Sequence, residues 1–240
     1  MSELIHLGSI YFDEHPVPIG SPYGDELISI EDTIRGYEIP WIEIGDMLVA
    51  TKLVCTHISW TQLDTFGLIF GTEVLIDGYR YMCRSLKVGS EDHLPNEWDA
   101  ILDRLGANAL VFDMPRYTFF WGQETSHSSD AYRVCRGGAH IRNWSESYAT
   151  NHKDAGLLPV LERLPIVDYD FEKHLGQKLH LRMPMSGQFK GILKGTSEYD
   201  LFFEPTTKCF ELRNWGILTP DGSVAIDRKR VLDIVGIKVV

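Results

Sequence analysis

Short apolar runs broken every few residues by charge or glycine dominate the first half of the chain. Residues 41–44, 47–54, 68–70, 73–76 and 79–86 are rich in β-branched and aromatic side chains and predict strands. The Asp77-Gly78 pair between the last two predicts a tight hairpin. Two stretches have helical spacing instead. Trp60, Leu63 and Phe66 recur every third residue behind Ser59, and Trp98, Ile101, Leu102 and Leu105 share one face behind Asn96. Gly106 ends the second helix. Residues 13–40 hold Pro16, Pro18, Pro22 and Pro40 among three glycines, which predicts an ordered arm without long elements.

From Tyr117 the chain is dense in aromatic, glycine and polar residues, and the expectation there is a loop-rich core. A last apolar strand at 157–164 is followed by Pro165 and the acidic Asp168, Asp170 and Glu172, which sets a boundary between modules 1–165 and 166–240. A short helix at 169–175 then leads to Leu179, Leu181 and Met183, alternating with polar neighbours as in a half-buried strand. The fold class is α+β and β-rich.

A length of 240 residues with 44% hydrophobic content leaves room for two cores. No apolar run approaches the roughly 18 residues of a bilayer span, and the first residues lack a basic, then apolar, signal pattern. The expected location is the cytoplasm, with no membrane partner. Cys55, Cys83, Cys135 and Cys209 show neither CxxC spacing nor a close histidine, so they read as buried thiols in a reducing compartment, with no metal and no cofactor. A net charge of -11 disfavours broad contact with a phosphate backbone. The basic cluster Asp227-Arg228-Lys229-Arg230 reads first as a solvated turn.

The segment Arg133-Val-Cys-Arg-Gly-Gly-Ala-His-Ile-Arg-Asn-Trp144, followed by Gly156-Leu-Leu-Pro-Val-Leu161, resembles the closing segment of formylglycine-generating-enzyme-like, C-type-lectin-like domains. With Trp121-Gly-Gln-Glu-Thr125 and Asn96-Glu-Trp98 it is also similar to uncharacterised phage and mobile-element proteins of gut Firmicutes. The oxidase activity of the first family does not carry over. That chemistry needs paired cysteines, and here Cys135 stands alone ahead of the glycines.

Residues 170–235 resemble an Sm-like, SH3-like barrel. The pattern is Ser186-Gly-Gln-Phe-Lys-Gly191-Ile-Leu-Lys-Gly195, then Tyr199-Asp-Leu-Phe-Phe203, then Val224-Ala-Ile226 and Val231-Leu-Asp-Ile234. Glycines suit a sharply bent strand of a small closed sheet. The base-binding positions of RNA-binding members differ: Ser197 and Asp200 stand in the first loop and Asp227-Arg228 in the second.

These readings lead to a non-enzymatic binding protein of phage or mobile-element origin, directed at a host protein or small ligand, with counter-defence as a role the resemblance implies. Candidate contacts are Tyr117, Trp121, Arg133, Arg136, Arg142 and Tyr148, because aromatics and arginine dominate recognition sites. The alternative is a nucleic-acid or nucleotide binder using Lys190, Lys194, Arg228, Lys229 and Arg230. A third reading, an enzyme with Cys135 as nucleophile, lacks a motif. His127, Asp130, His140, His152 and Asp154 form a histidine-rich group read as surface residues before metal ligands. Assembly as a homodimer is expected through two candidate strand edges, 201–203 and the tail 234–240.

Overall fold

The computed structural model describes residues 4–91, 94–151, 155–166, 168–184, 187–206 and 215–236. The chain is β-rich with few helices and divides into two compact units, 1–77 with 81–162, and 78–80 with 163–240.

The first unit is built on a curled sheet of eight strands. Ile5–Phe12 pairs with His15–Pro16, Ile28–Glu31 and Glu38–Ile44, and the order continues through Met47–Ala50, Pro159–Arg163 and Tyr79–Ser85 to Thr72–Ile76. Ile10, Ile30, Trp41, Val49, Val160 and Leu161 on its strands are all buried, and adjacent Val160 and Leu161 show that both faces are covered there. The expected hairpin is present: Asp77 and Gly78 both take positive φ, 52° and 83°, which matches the twist of the strands they join. Both expected helices form where their caps stand. Trp60–Thr65 begins with a capping box between Ser59 and Gln62, and Glu97–Leu105 begins at Asn96 and ends at Gly106. Residues 68–70, expected as a strand, instead turn after the first helix, with the Leu68 N–H donating to the Leu63 carbonyl.

A second, six-stranded sheet runs His140–Tyr148, Tyr132–Gly137, Phe119–Thr125, Ala155–Leu157, Cys55–Thr56, Ser21–Pro22. The stretch after Tyr117 is therefore an antiparallel ribbon and not the loop-rich core its composition suggested. Both faces of its middle strand are covered, so Val134, Cys135, Arg136 and Gly137 are buried in succession and the period-two signature is lost. The single strand expected at 157–164 is split at Leu158, which sends 155–157 to this sheet and 159–163 to the curled one.

The second unit holds a six-stranded antiparallel sheet in the order Gly216–Leu218, Val224–Asp227, Asp200–Pro205, Gly187–Thr196, Lys178–Met183, Asp233–Ile234. After a 3-10 turn at Arg228–Arg230, Ile234 comes back beside Leu181 on the first strand of the meander, which curls the sheet around a core of Phe171, Leu181, Phe189, Phe203, Trp215 and Ile226. Gly191 is required: a Cβ there would lie 2.9 Å from the Glu204 carbonyl and 2.8 Å from the Phe189 ring. The short helix expected at 169–175 is a 3-10 turn at Phe171–His174. The 201–203 segment is not an edge. It pairs with Gly187–Thr196 on one side and Val224–Asp227 on the other, and Leu201 and Phe203 are fully buried. Of the tail, Ile234 pairs within this unit, and residues 237–240 lie outside the described residues.

Candidate functional site

Trp60 opens the first helix and is anchored by its indole, which donates to the Gly122 carbonyl at 3.0 Å. The Arg133 guanidinium lies over that indole, 4.4 Å from the ring centroid. One Arg133 nitrogen donates to the Asp130 carbonyl at 2.6 Å, while its Nε is buried without a partner. Phe70 stands edge-on to Trp60 at 5.9 Å and is 63% exposed. The N–H and hydroxyl of Thr61 both donate to the Ala149 carbonyl, fastening the helix start to the end of the ribbon. There Tyr148 faces Tyr132 across the strands with ring centroids 4.5 Å apart. The hydrogen bond between their hydroxyls raises the Tyr132 pKa. Tyr148 is 57% exposed. A guanidinium and exposed aromatics thus share one end of the ribbon.

The other expected contact residues lie elsewhere. Trp121 is fully buried, its indole donating to the Ile58 carbonyl at 2.8 Å. Arg136 is also buried, with its guanidinium divided among the carbonyls of Val88 and Arg142 and the carboxylate of Asp99. Both support the fold and present nothing to a ligand. Arg142 is half-exposed and paired with Asp99 and Asp103. Tyr117 is exposed beside the glycine turn, its backbone in the left-handed region at φ 66° and its N–H donating to the Gly138 carbonyl. Gly137 has no substitute at that turn, since φ is 125° and a Cβ would sit 2.5 Å from the Thr118 carbonyl.

Chemistry at Cys135 is suppressed: burial pushes its thiol up to about 12, so the nucleophilic thiolate is absent at neutral pH. On the neighbouring strand, opposite Val134, Glu146 accepts hydrogen bonds from Ser126 and Ser128, which hold its carboxylate below the usual range. His127 instead reaches the Ser90 carbonyl and lies against Trp144. His140 and Asp130 stand at opposite ends of the ribbon's turns, and His152 and Asp154 lie outside the described residues. Among the described residues, no group of three or more His, Cys, Asp or Glu is placed to hold a metal ion.

In the second unit Arg228 joins two loops, donating to the carbonyls of Ser197 and Tyr169. Ser197 Oγ accepts from the N–H groups of Tyr199 and Asp200, closing the loop that carries them. Arg230 pairs with Asp227 and Lys194 with Glu204, while Lys190 and Lys229 are exposed.

Sequence reasoning missed Phe70 and Tyr132 as neighbours of this surface and Trp60 as the buried ring beneath Arg133. Trp60 showed only as one of a helix's apolar positions, and nothing in the run 68–70 marked Phe70 as facing water. No protein family, no curated protein and no solved structure matches the chain. No helix among the described residues is long and apolar enough to cross a membrane.

Proposed function

We propose that the chain is a non-enzymatic binding protein of phage or mobile-element origin, acting in the host cytoplasm on a host protein or small ligand, with counter-defence as its role. The supporting observation is the Arg133–Trp60 stack flanked by exposed Phe70 and Tyr148, a combination of arginine and aromatic side chains that dominates binding energetics elsewhere. The first unit is read as C-type-lectin-like from its Arg-Gly-Gly turn. The second is read as an Sm-like barrel, a reading supported by the return of Ile234 to the first strand of its meander after a 3-10 turn. The test is capture from host lysate by the immobilised full chain. A partner recovered at stoichiometric yield and lost by a Phe70→Ser, Tyr148→Ser variant supports the reading; no partner, or equal recovery by the variant, sinks it.

A second reading, nucleic-acid or nucleotide binding by the barrel, is favoured by the meeting of the Ser197–Asp200 and Asp227–Arg230 loops through Arg228. Binding of single-stranded RNA through them falls steeply with salt. Flat titrations at low salt with RNA, DNA and cyclic nucleotides eliminate it.

A further inference from the structure

The strand His140–Tyr148 ends the second sheet, with Tyr132–Gly137 as its one strand neighbour, and at nine residues it is the longest edge strand among the described residues. Both of its ends are guarded. Arg136 lies opposite Trp144 but Gly137 opposite His140, so residues 141–143 bulge out of the ladder. There the Ile141 carbonyl accepts from the Trp98 indole and the Arg142 carbonyl from the Arg136 guanidinium, each at 2.7 Å. At the far end the Ala149 carbonyl is held by Thr61 and the Tyr148 carbonyl by the Asn151 N–H.

Between these ends the hydrogen-bond phase fixes what stays open. The Ala149 N–H donates to the Ala131 carbonyl, so the odd-numbered residues of the two strands turn their main chains toward each other. The Ser126 N–H donates to the Tyr132 carbonyl, on the other side of that strand. Opposite Tyr132, Val134 and Arg136 stand Tyr148, Glu146 and Trp144, whose N–H groups, with the carbonyls of Glu146 and Trp144, therefore point off the sheet edge. None of these five groups has a hydrogen-bond partner among the described residues.

Side chains on this run alternate: Trp144, Glu146 and Tyr148 share one face, and the small Ser145 and Ser147 the other. Glu146 accepts from Ser126 and Ser128 through Oε2, which leaves Oε1 without a partner among the described residues. Arg133 lies over Trp60, and Arg136 and Arg142 are held by Asp99 and Asp103, so no arginine of the ribbon answers that charge.

Unpaired N–H and C=O groups at strand spacing are satisfied by another extended main chain. A second copy fits poorly. Any two-fold antiparallel register that pairs two or more of the open residues centres on Ser145, Glu146 or Ser147. The two Glu146 side chains then stand directly opposite or diagonal to one another, within about 8 Å, where like charges repel. We propose that residues 144–148 take up an extended segment of another protein as an added antiparallel strand, with a lysine or arginine opposite Glu146 and β-branched apolar residues opposite Trp144 and Tyr148. This deepens the binding reading above, on which it rests, by giving the partner's form.

The probe is a labelled synthetic peptide, Val-Thr-Lys-Thr-Val with two serines at each end, titrated into the full chain by fluorescence anisotropy and amide NMR. It is expected to bind and to protect the Trp144, Glu146 and Tyr148 amides from exchange. In an added strand only alternate peptide amides face the chain. N-methylation at the lysine and valines is expected to weaken binding at least about tenfold, and N-methylation at the threonines to leave it unchanged. Glu146→Gln weakens the parent peptide by about threefold and flattens its salt dependence. No binding of the parent peptide, or equal binding by the two methylated ones, overturns the proposal. So does a dimer in sedimentation whose Trp144 and Glu146 amides are protected without peptide, since the edge would then serve a second copy. The two ideas fail separately: a lysate partner lost by the Phe70→Ser, Tyr148→Ser variant beside an inert peptide sinks the added strand alone, and a bound peptide without any lysate partner supports the strand and sinks the host-binding role.

Discussion

Arg136 and Asp99 meet at 2.9 Å with the arginine side chain almost wholly withdrawn from water. The pair joins the middle strand of the ribbon to the Glu97–Leu105 helix, and the remaining guanidinium donors close on the Val88 and Arg142 carbonyls. Only a planar group with several fixed donors reaches all three at once. Arg136→Met leaves the Val88 and Arg142 carbonyls without their buried donor and takes one of its partners from Asp99, which keeps Arg142 and Asn96, so a loss of about 2 kcal/mol or more is expected in denaturant unfolding. Arg136→Lys recovers little of it. An unfolding midpoint unchanged in both variants contradicts this account.

Gly137→Ala is expected to cost roughly 2 kcal/mol or more, because the added methyl meets the Thr118 carbonyl and the backbone sits in a region closed to alanine. Gly36→Ala is the control. It also has positive φ, 93°, but faces open space, so only the backbone cost of about 1 kcal/mol applies. Equal melting temperatures for the two variants contradict the close approach.

Burial pushes the thiols of Cys55, Cys83 and Cys135 up to about 12. In the unfolded chain thiols ionise near their ordinary value, so between that value and the folded one the native state holds the extra protons. Stability is therefore full below the ordinary thiol pKa and is lost as pH rises above it, by up to about 1.4 kcal/mol per pH unit per thiol. Mass spectrometry after iodoacetamide at neutral pH should find all three unmodified in the native protein and modified in denaturant. Rapid native alkylation of Cys135 contradicts its burial and revives a nucleophile.

The Glu146 carboxylate titrates low because Ser126 and then Ser128 donate to it. Its contribution to stability is present above the ordinary carboxylate pKa and fades as pH falls through the lowered folded value. Ser126→Ala with Ser128→Ala is expected to move its titration upward in carboxyl-carbon NMR. An unmoved titration shows that the hydroxyls do not hold it.

Local signals made part of the fold legible. Ser59 and Asn96 start helices because a side-chain oxygen beside an apolar face satisfies free N–H groups, and Asp77-Gly78 turns because both residues tolerate positive φ. Signals that depend on the surroundings were not. The ribbon after Tyr117 carries buried side chains on both faces, so alternation could not reveal it, and Leu158 gives no sign that the strand it sits in serves two sheets. Leu201 and Phe203 read as an apolar edge because sequence cannot say how many neighbours a strand has. At the candidate site Arg133 and Tyr148 were legible as residue types. Arg136, of the same type, turned inward because Asp99 and two carbonyls happen to converge there.

Residues 78–80 belong to the second compact unit although they lie more than eighty residues before the rest of it. Within that unit the Tyr79 ring carries the Arg163 guanidinium 4.6 Å above it, and the Arg80 carbonyl accepts from the Leu164 N–H. The small sheet is therefore no cassette that recombination could move by copying one stretch of gene. A fragment beginning at 163 would arrive without the floor under Arg163, and a transplant that works must carry the Asp77-Gly78 hairpin with it.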